Sequence, residues 1–271
     1  MINKVVAFGC SFVIGDSMGH RFRHAPYTEK PLAIYYLGKE FGLDRNMCDI
    51  RAYGGHSNQY IYRKFYNYIA GVLEPDDVEL HKTLGKVIPL EETLFVFGWT
   101  EKSRWEFYSD VEKIWIPINV SLSRSYDQKK DLIPRILSSV PSETDDITDK
   151  SYEKLVREYY KVSFNLKEHF EKSVREIISI QNTCKIKKLQ YIMFDSIGSV
   201  FNEYPKNKLV KLLDKKNWVN YDGNYGDWAT MNRKNPKEYT AYKDDAHPSA
   251  LSQRVWGEYL ISTVKSLGEI K

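Results

Sequence analysis

The segment Asp244-Asp245-Ala246-His247-Pro248 places a carboxylate three residues before an imidazole, on a tight turn ahead of a helix. An acid at that spacing can orient the ring. A base oriented by a carboxylate is two parts of an acyl-transfer triad. The missing part is a hydroxyl at the end of another strand, and Ser11 supplies it. It lies in Gly9-Cys10-Ser11-Phe12-Val13-Ile14-Gly15-Asp16, two residues past the glycine that stops a β-branched run. Gly9 and Gly15 permit a tight backbone there. A helix following the turn would aim its N–H groups at a developing oxyanion. Asp245 competes with Asp244 as the orienting acid, and the spacing favours Asp244.

Plainer roles exist for each of these residues and their neighbours. Serine after a strand often caps a helix. Ser11 alone reads as a cap, but with Asp244 and His247 in this order it reads as a nucleophile. His20 and His24 lie four apart after Asp16, a spacing that can bind metal on a helix. No third strong ligand accompanies them, so a surface or substrate-rim role is preferred and no metal is expected. His56, after Gly55, reads as a capping or turn residue. Arg104 and Glu106 read as a structural ion pair, ahead of a role for Arg104 against an anionic substrate. Gly9 to Gly15 lacks the Lys-Ser/Thr ending of a phosphate loop, and a dinucleotide fingerprint is absent.

These residues need elements to hold them. Lys4 to Phe8 reads as a buried first strand. Pro31 to Phe41 has helical periodicity, opens with Pro and is followed by Gly42. Met47 to Tyr53 reads as a second strand ended by Gly54-Gly55, and Ser57-Asn58 caps a helix to about Val72. Thr93 to Phe97 is the third strand, stopped by Gly98. Tyr152 to Ile180 is a long amphipathic helix, Leu189 to Phe194 the fourth strand, and Pro248 to Leu267 a closing helix capped near Ser249. Residues 106–150 and 205–242 read as insertions in a single domain spanning 1–271. Alternating strands and helices predict a flavodoxin-like three-layer α/β/α sandwich with a parallel sheet of about five strands. Ligands of such sheets bind at the carboxyl ends of the strands, where Ser11, Gly55 and Thr100 fall.

Composition narrows the class. The chain has 271 residues, with 40 Lys and Arg against 36 Asp and Glu, a formal charge of +4. Hydrophobic residues make up 42%, which excludes a disordered tail, a collagen-like fibre and a disulfide scaffold. The weak charge does not indicate a nucleic-acid partner, and the lysine-rich stretches 185–188 and 206–216 read as solvated faces. The 20 tyrosines suit a Tyr-rich core surface better than a sugar-binding groove. No run approaches the roughly 18 apolar residues of a membrane helix. No secretory signal opens the sequence. Cys10, Cys48 and Cys184 read as buried thiols in a reducing compartment, so a cytoplasmic, membrane-free location is expected.

The ordered blocks resemble the SGNH hydrolase superfamily, also called GDSL esterases. The family's first block is Gly-Asp-Ser, and Gly9-Cys10-Ser11 is a Cys-for-Asp variant of it. The oxyanion Gly of its second block is matched by Gly55 in Gly55-His56-Ser57-Asn58. Its third block, Gly-x-Asn-Asp, is matched by Gly98-Trp99-Thr100-Glu101, with Thr100 in the place of the oxyanion Asn. Its last block, Asp-x-x-His, is matched by Asp244 and His247. The first and last blocks are fairly specific together, and the middle two are weak alone. The resemblance spans the chain as an ordered skeleton and leaves the two insertions unexplained.

The resemblance implies a Ser11-His247-Asp244 triad, with Cys10 supporting the turn and pointing away. The N–H groups of Ser11 and Gly55 would hold the oxyanion. At the third block three outcomes stay open: Thr100 substitutes for Asn, Asn58 or Arg104 fills in, or the site is weak. No cofactor is implied. The implied activity is a serine esterase for a short acyl ester, with acetyl on a carbohydrate the favoured small-molecule or glycan substrate. The alternatives are an acyltransferase with the same triad and a non-catalytic module that kept the fold. The Gly-Cys-Ser form with a Gly-Trp-Thr block is similar to those carried in bacteriophage genomes, which would admit a virion-associated role. The oligomeric state is not legible.

Overall fold

A computed structural model describes residues 1–15, 30–52, 54, 56–72, 89–102, 104–109, 114–118, 165–221, 225–241 and 246–268. Four runs form strands: β1 (Lys4–Gly9), β2 (Cys48–Ala52), β3 (Thr93–Trp99) and β6 (Gln190–Asp195). They pair in the order β2-β1-β3-β6, all parallel. β1, β3 and β6 carry the near-continuous apolar sequence that a parallel sheet covered on both faces requires, while the outer strand β2 includes Asp49 and Arg51.

Side chains alternate between the two faces. Val5, Ala7, Leu94, Val96, Ile192 and Phe194 join one core cluster with α2 (Ala33–Glu40) and α8 (Ala250–Leu267). Val6, Phe8, Phe95, Phe97, Tyr191 and Met193 join the other, with α3 (Asn58–Ala70) and α4 (Leu166–Ile186). The result is a three-layer α/β/α arrangement. Each fully buried side chain of this size contributes about 1.5–3 kcal/mol.

A fifth strand would lie beside β6. A single parallel bridge between Met193 and Trp218 stands there instead. Met193 N–H donates to the Asn217 carbonyl and Val219 N–H to the Met193 carbonyl, both at 2.8 Å. A turn closes just before it, with Trp218 N–H on the Lys215 carbonyl at 3.0 Å, so pairing does not propagate.

The first insertion opens with an antiparallel hairpin, β4 (Trp105–Ser109) and β5 (Ile114–Ile118). It docks on α3, where the Arg63 guanidinium lies 4.5 Å from the Trp115 ring centroid and 5.4 Å from that of Tyr60. Residues 119–164, including the expected helix start at Tyr152, lie outside the described set. α4 runs past the expected end at Ile180 because Cys184 continues its buried stripe. The non-glycine residue Lys188, at φ 56, turns the chain out of this helix. The short helix α5 (Val200–Glu203) lies just ahead of the second insertion, which holds α6 (Trp228–Lys234) and α7 (Pro236–Tyr239). Among the described residues no helix is long and apolar enough to cross a membrane.

Candidate active site

The turn that carries Ser11 is the short helix α1 (Ser11–Ile14). It folds back over the sheet end because two glycines leave room for Val13. A Cβ on Gly98 would lie 2.7 Å from Val13 Cγ2, and one on Gly9 would collide with the same atom. Gly15 closes the turn at φ 62, in the left-handed region that glycine tolerates. Cys10 occupies the cap position without a side-chain cap bond, so Ser11 is the first helical residue and not the cap. The Cys10 side chain is buried in the core with Phe12 and Ile14. All three cysteines are free and buried. Burial pushes the Cys48 and Cys184 thiols up to about 12, which makes them unreactive.

Ser11 Oγ lies 2.7 Å from His247 Nε2, across 236 residues of sequence. Both sit where α/β sheets bind ligands. The His247 turn is held from several sides. Thr240 bridges Pro248, Ala241 N–H donates to the His247 carbonyl at 2.9 Å, and Ser249 N–H donates to the Tyr239 carbonyl at 2.9 Å. The preceding carbonyl, of Ala246, accepts from Asn232 Nδ2 at 2.8 Å. Asn232 is in turn fixed by Ser252 Oγ at 2.5 Å, and Ser252 Oγ accepts from Trp228 Nε1 at 2.8 Å. Trp228 stacks on Trp256 with ring centroids 5.0 Å apart. The Phe12 ring backs the imidazole at 5.1 Å. Buried Gln253 of α8 donates to the Phe12 carbonyl at 2.7 Å and accepts from Ala33 N–H at 2.8 Å. One helix, α8, therefore anchors both the serine turn and the histidine turn.

Thr100 directly follows β3, the strand beside β1, whose register pairs Phe8 with Phe97. Thr100 Oγ1 is buried and has no hydrogen-bond partner among the described residues. Such a group calls for an explanation, and a catalytic role is one.

Asn58 is joined to Thr100 through both atoms of its side-chain amide. Its Nδ2 donates to the Thr100 carbonyl at 2.9 Å, and its Oδ1 accepts Thr100 N–H at 2.8 Å. It fixes the backbone of Thr100. Arg104 pairs through Nε with Glu101 Oε1 at 2.9 Å, and its buried Nη1 has no hydrogen-bond partner among the described residues. The ion pair expected between Arg104 and Glu106 gives way to different partners. A turn closed by Arg104 N–H on the Glu101 carbonyl at 3.3 Å brings those two residues together. The hairpin then presents Glu106 to α3, where Arg63 binds it through Nε at 3.1 Å and Nη2 at 3.3 Å. His56 precedes the actual cap, Ser57, whose Oγ accepts Tyr60 N–H at 3.2 Å. The His56 ring packs on Tyr60 at 4.2 Å, with Nδ1 3.7 Å from Glu106 Oε2.

A pocket is lined by two of the expected oxyanion candidates, Asn58 and Thr100, and, among others, by Trp99, Lys102, Phe170 and Asp195, which are not among the site residues expected from sequence. Burial drives the Asp195 carboxyl well above the usual carboxylate range, although Val200 N–H donates to it at 3.1 Å. Burial also lowers Lys102 to about 8 against the opposing Glu101 charge. The Lys102 ammonium lies 5.0 Å from the Tyr204 ring centroid and 5.8 Å from that of Phe170. The available signal was position: Asp195 ends a strand of a parallel sheet.

Among the described residues no three His, Cys, Asp or Glu side chains gather as a metal site. Gly55, Asp244, Asp245, Asp16, His20 and His24 lie outside the described set. No protein-family model, curated protein or solved structure matches the chain.

Proposed function

We propose that the chain is a serine esterase of the SGNH type that cleaves a short acyl ester, with acetyl on a carbohydrate as the substrate class. The observation that carries this reading is the 2.7 Å approach of Ser11 Oγ to His247 Nε2 at the carboxyl edge of a parallel sheet. That distance is within proton-transfer reach.

In this reading His247 Nε2 accepts the Ser11 proton as Oγ attacks the ester carbonyl carbon. The tetrahedral oxyanion takes hydrogen bonds from the Ser11 N–H and the Thr100 hydroxyl, with Gly55 N–H the third donor that the resemblance assigns. Collapse breaks the ester C–O bond, and His247 returns the proton to the leaving alcohol. Water, deprotonated by His247, then releases the acyl group from Ser11. Asp244 is the acid assigned to hold the imidazole tautomer. An oxyanion donor of this kind is worth about a hundred- to a thousandfold in rate.

The test is labelling with a fluorophosphonate probe, with the site located by mass spectrometry. Label on Ser11, lost in Ser11→Ala and in His247→Ala, supports an activated serine. A folded protein that takes no label at Ser11 would sink the proposal.

A further inference from the structure

Two lysine-rich segments far apart in sequence form one surface. Residues 206–216 run along α4. At one end Tyr204 packs on Phe170 at 4.3 Å, and Asn207 Nδ2 donates to Glu171 Oε1 at 3.2 Å. At the other end Gln181 clamps the Asp214 backbone, donating to its carbonyl at 2.9 Å and accepting its N–H at 3.0 Å. Lys185 adds an ion pair to Asp214 at 2.9 Å. From Glu171 to Lys185 is about 20 Å of helix at 1.5 Å per residue. Val210, Leu213 and Trp218 are buried, so the segment is fastened to the core and is no loose tail.

The charge on this edge is one-sided. Residues 185–188 and 206–216 hold eight lysines, all exposed, against the single carboxylate of Asp214, which Lys185 already engages. The whole chain carries only +4, so the rest of the molecule is net negative. The edge also reaches the candidate active site. Tyr204, at its near end, lies under the ammonium of Lys102, two residues past Thr100.

We propose that this lysine edge docks an acidic polysaccharide. This rests on the esterase reading above and names its substrate as acyl groups carried on such a chain. Every cation in the two segments is lysine, which meets an anionic chain as a row of point charges. A carboxylated glycan is favoured over nucleic acid because a phosphodiester backbone carries no carboxylic ester for Ser11 to attack. Contacts of this kind are screened beyond a Debye length of about 8 Å at physiological salt, so binding should weaken steeply as salt rises.

The test uses full-length Ser11→Ala protein, which binds without turnover. The probe is fluorescein-labelled polygalacturonate, read by anisotropy at 50 and 150 mM NaCl. Neutral dextran, duplex DNA and phosphatidylserine vesicles serve as competitors. The comparison protein adds Lys187→Gln, Lys206→Gln, Lys208→Gln and Lys211→Gln, all at exposed positions that leave the core intact. The expected result is binding that dextran does not compete, at least tenfold weaker in the lysine variant and with a shallower salt dependence. Equal binding by both proteins, no binding by either, or preferential displacement by DNA or vesicles would overturn the proposal. Fluorophosphonate labelling of Ser11 in otherwise wild-type protein is read separately. Its absence overturns the esterase reading, whereas polygalacturonate binding lost with the lysines reports on the docking surface itself.

Discussion

Thr100→Val removes one hydroxyl and keeps the side-chain shape. Thr100 Oγ1 is buried without a hydrogen-bond partner among the described residues, while the Thr100 backbone is held by both amide atoms of Asn58. The substitution therefore breaks no hydrogen bond of the resting protein. A buried hydroxyl left unpaired costs about 1–3 kcal/mol. Valine should leave stability unchanged or raise it by about 1 kcal/mol, a Tm increase of about 2–4 °C. Catalysis should move the opposite way. With the hydroxyl as oxyanion donor, kcat should fall about a hundred- to a thousandfold, equivalent to about 2.7–4 kcal/mol of transition-state stabilisation. The assay is p-nitrophenyl acetate hydrolysis, run beside thermal unfolding of the same preparation. A kcat within threefold of wild type, with Tm undiminished, would refute the role of Thr100. A Tm lowered by several degrees would refute the claim that its hydroxyl is unpartnered.

Asn58→Leu should unfold at lower urea, with a loss of about 2–4 kcal/mol, because it leaves two buried backbone groups of Thr100 unpaired. Unchanged stability would show that the clamp carries no weight. Lys188→Gly should gain about 1 kcal/mol, since Lys188 sits at φ 56 after α4, where a side chain is strained. A lower urea midpoint would contradict that. Glu176→Gln should change how stability depends on pH. Burial pushes the Glu176 carboxyl up to about 7, with Lys172 opposing and the Glu106 charge adding to the rise. Its folded pKa lies above the unfolded value of 4.5, so its contribution is complete below that pH and is lost as pH rises through about 7. The variant should therefore gain on wild type between pH 5 and pH 8 in urea titrations. A difference that does not move with pH would rule this out.

What the sequence made legible was local or forced by topology. Val5 to Phe8 and Thr93 to Phe97 are apolar runs stopped by glycine, and each forms a strand. Ser11 was readable because it follows a strand end, where parallel sheets bind ligands, and His247 because an Asp-x-x-His segment stands ahead of the closing helix. Side-chain partnerships between elements were not readable. Arg104 and Glu106 are close in sequence, yet a turn hands one to Glu101 and a hairpin hands the other to Arg63. Asn58 has the chemistry of an oxyanion donor, and only the approach of β3's end to α3 shows that it also clamps the Thr100 backbone. The relay from Trp228 through Ser252 and Asn232 to Ala246 joins α6, α8 and the His247 turn. No periodicity in any one element announces it.

The two edges of the sheet have a consequence of their own. On β2, Asp49 and Arg51 pair at 3.1 Å, and Lys4 reaches Asp49 at 3.3 Å, so the outer strand carries buried ionic groups. On β6, the Trp218 bridge and the Asn217 amide, which donates to the Tyr191 carbonyl at 2.8 Å, already occupy backbone groups that another strand would need. Inward charges and a plugged ladder are two ways in which proteins blunt sheet edges. Strand-by-strand growth into fibres meets an obstacle on either side of this sheet, and crowding alone should not drive the folded chain in that direction.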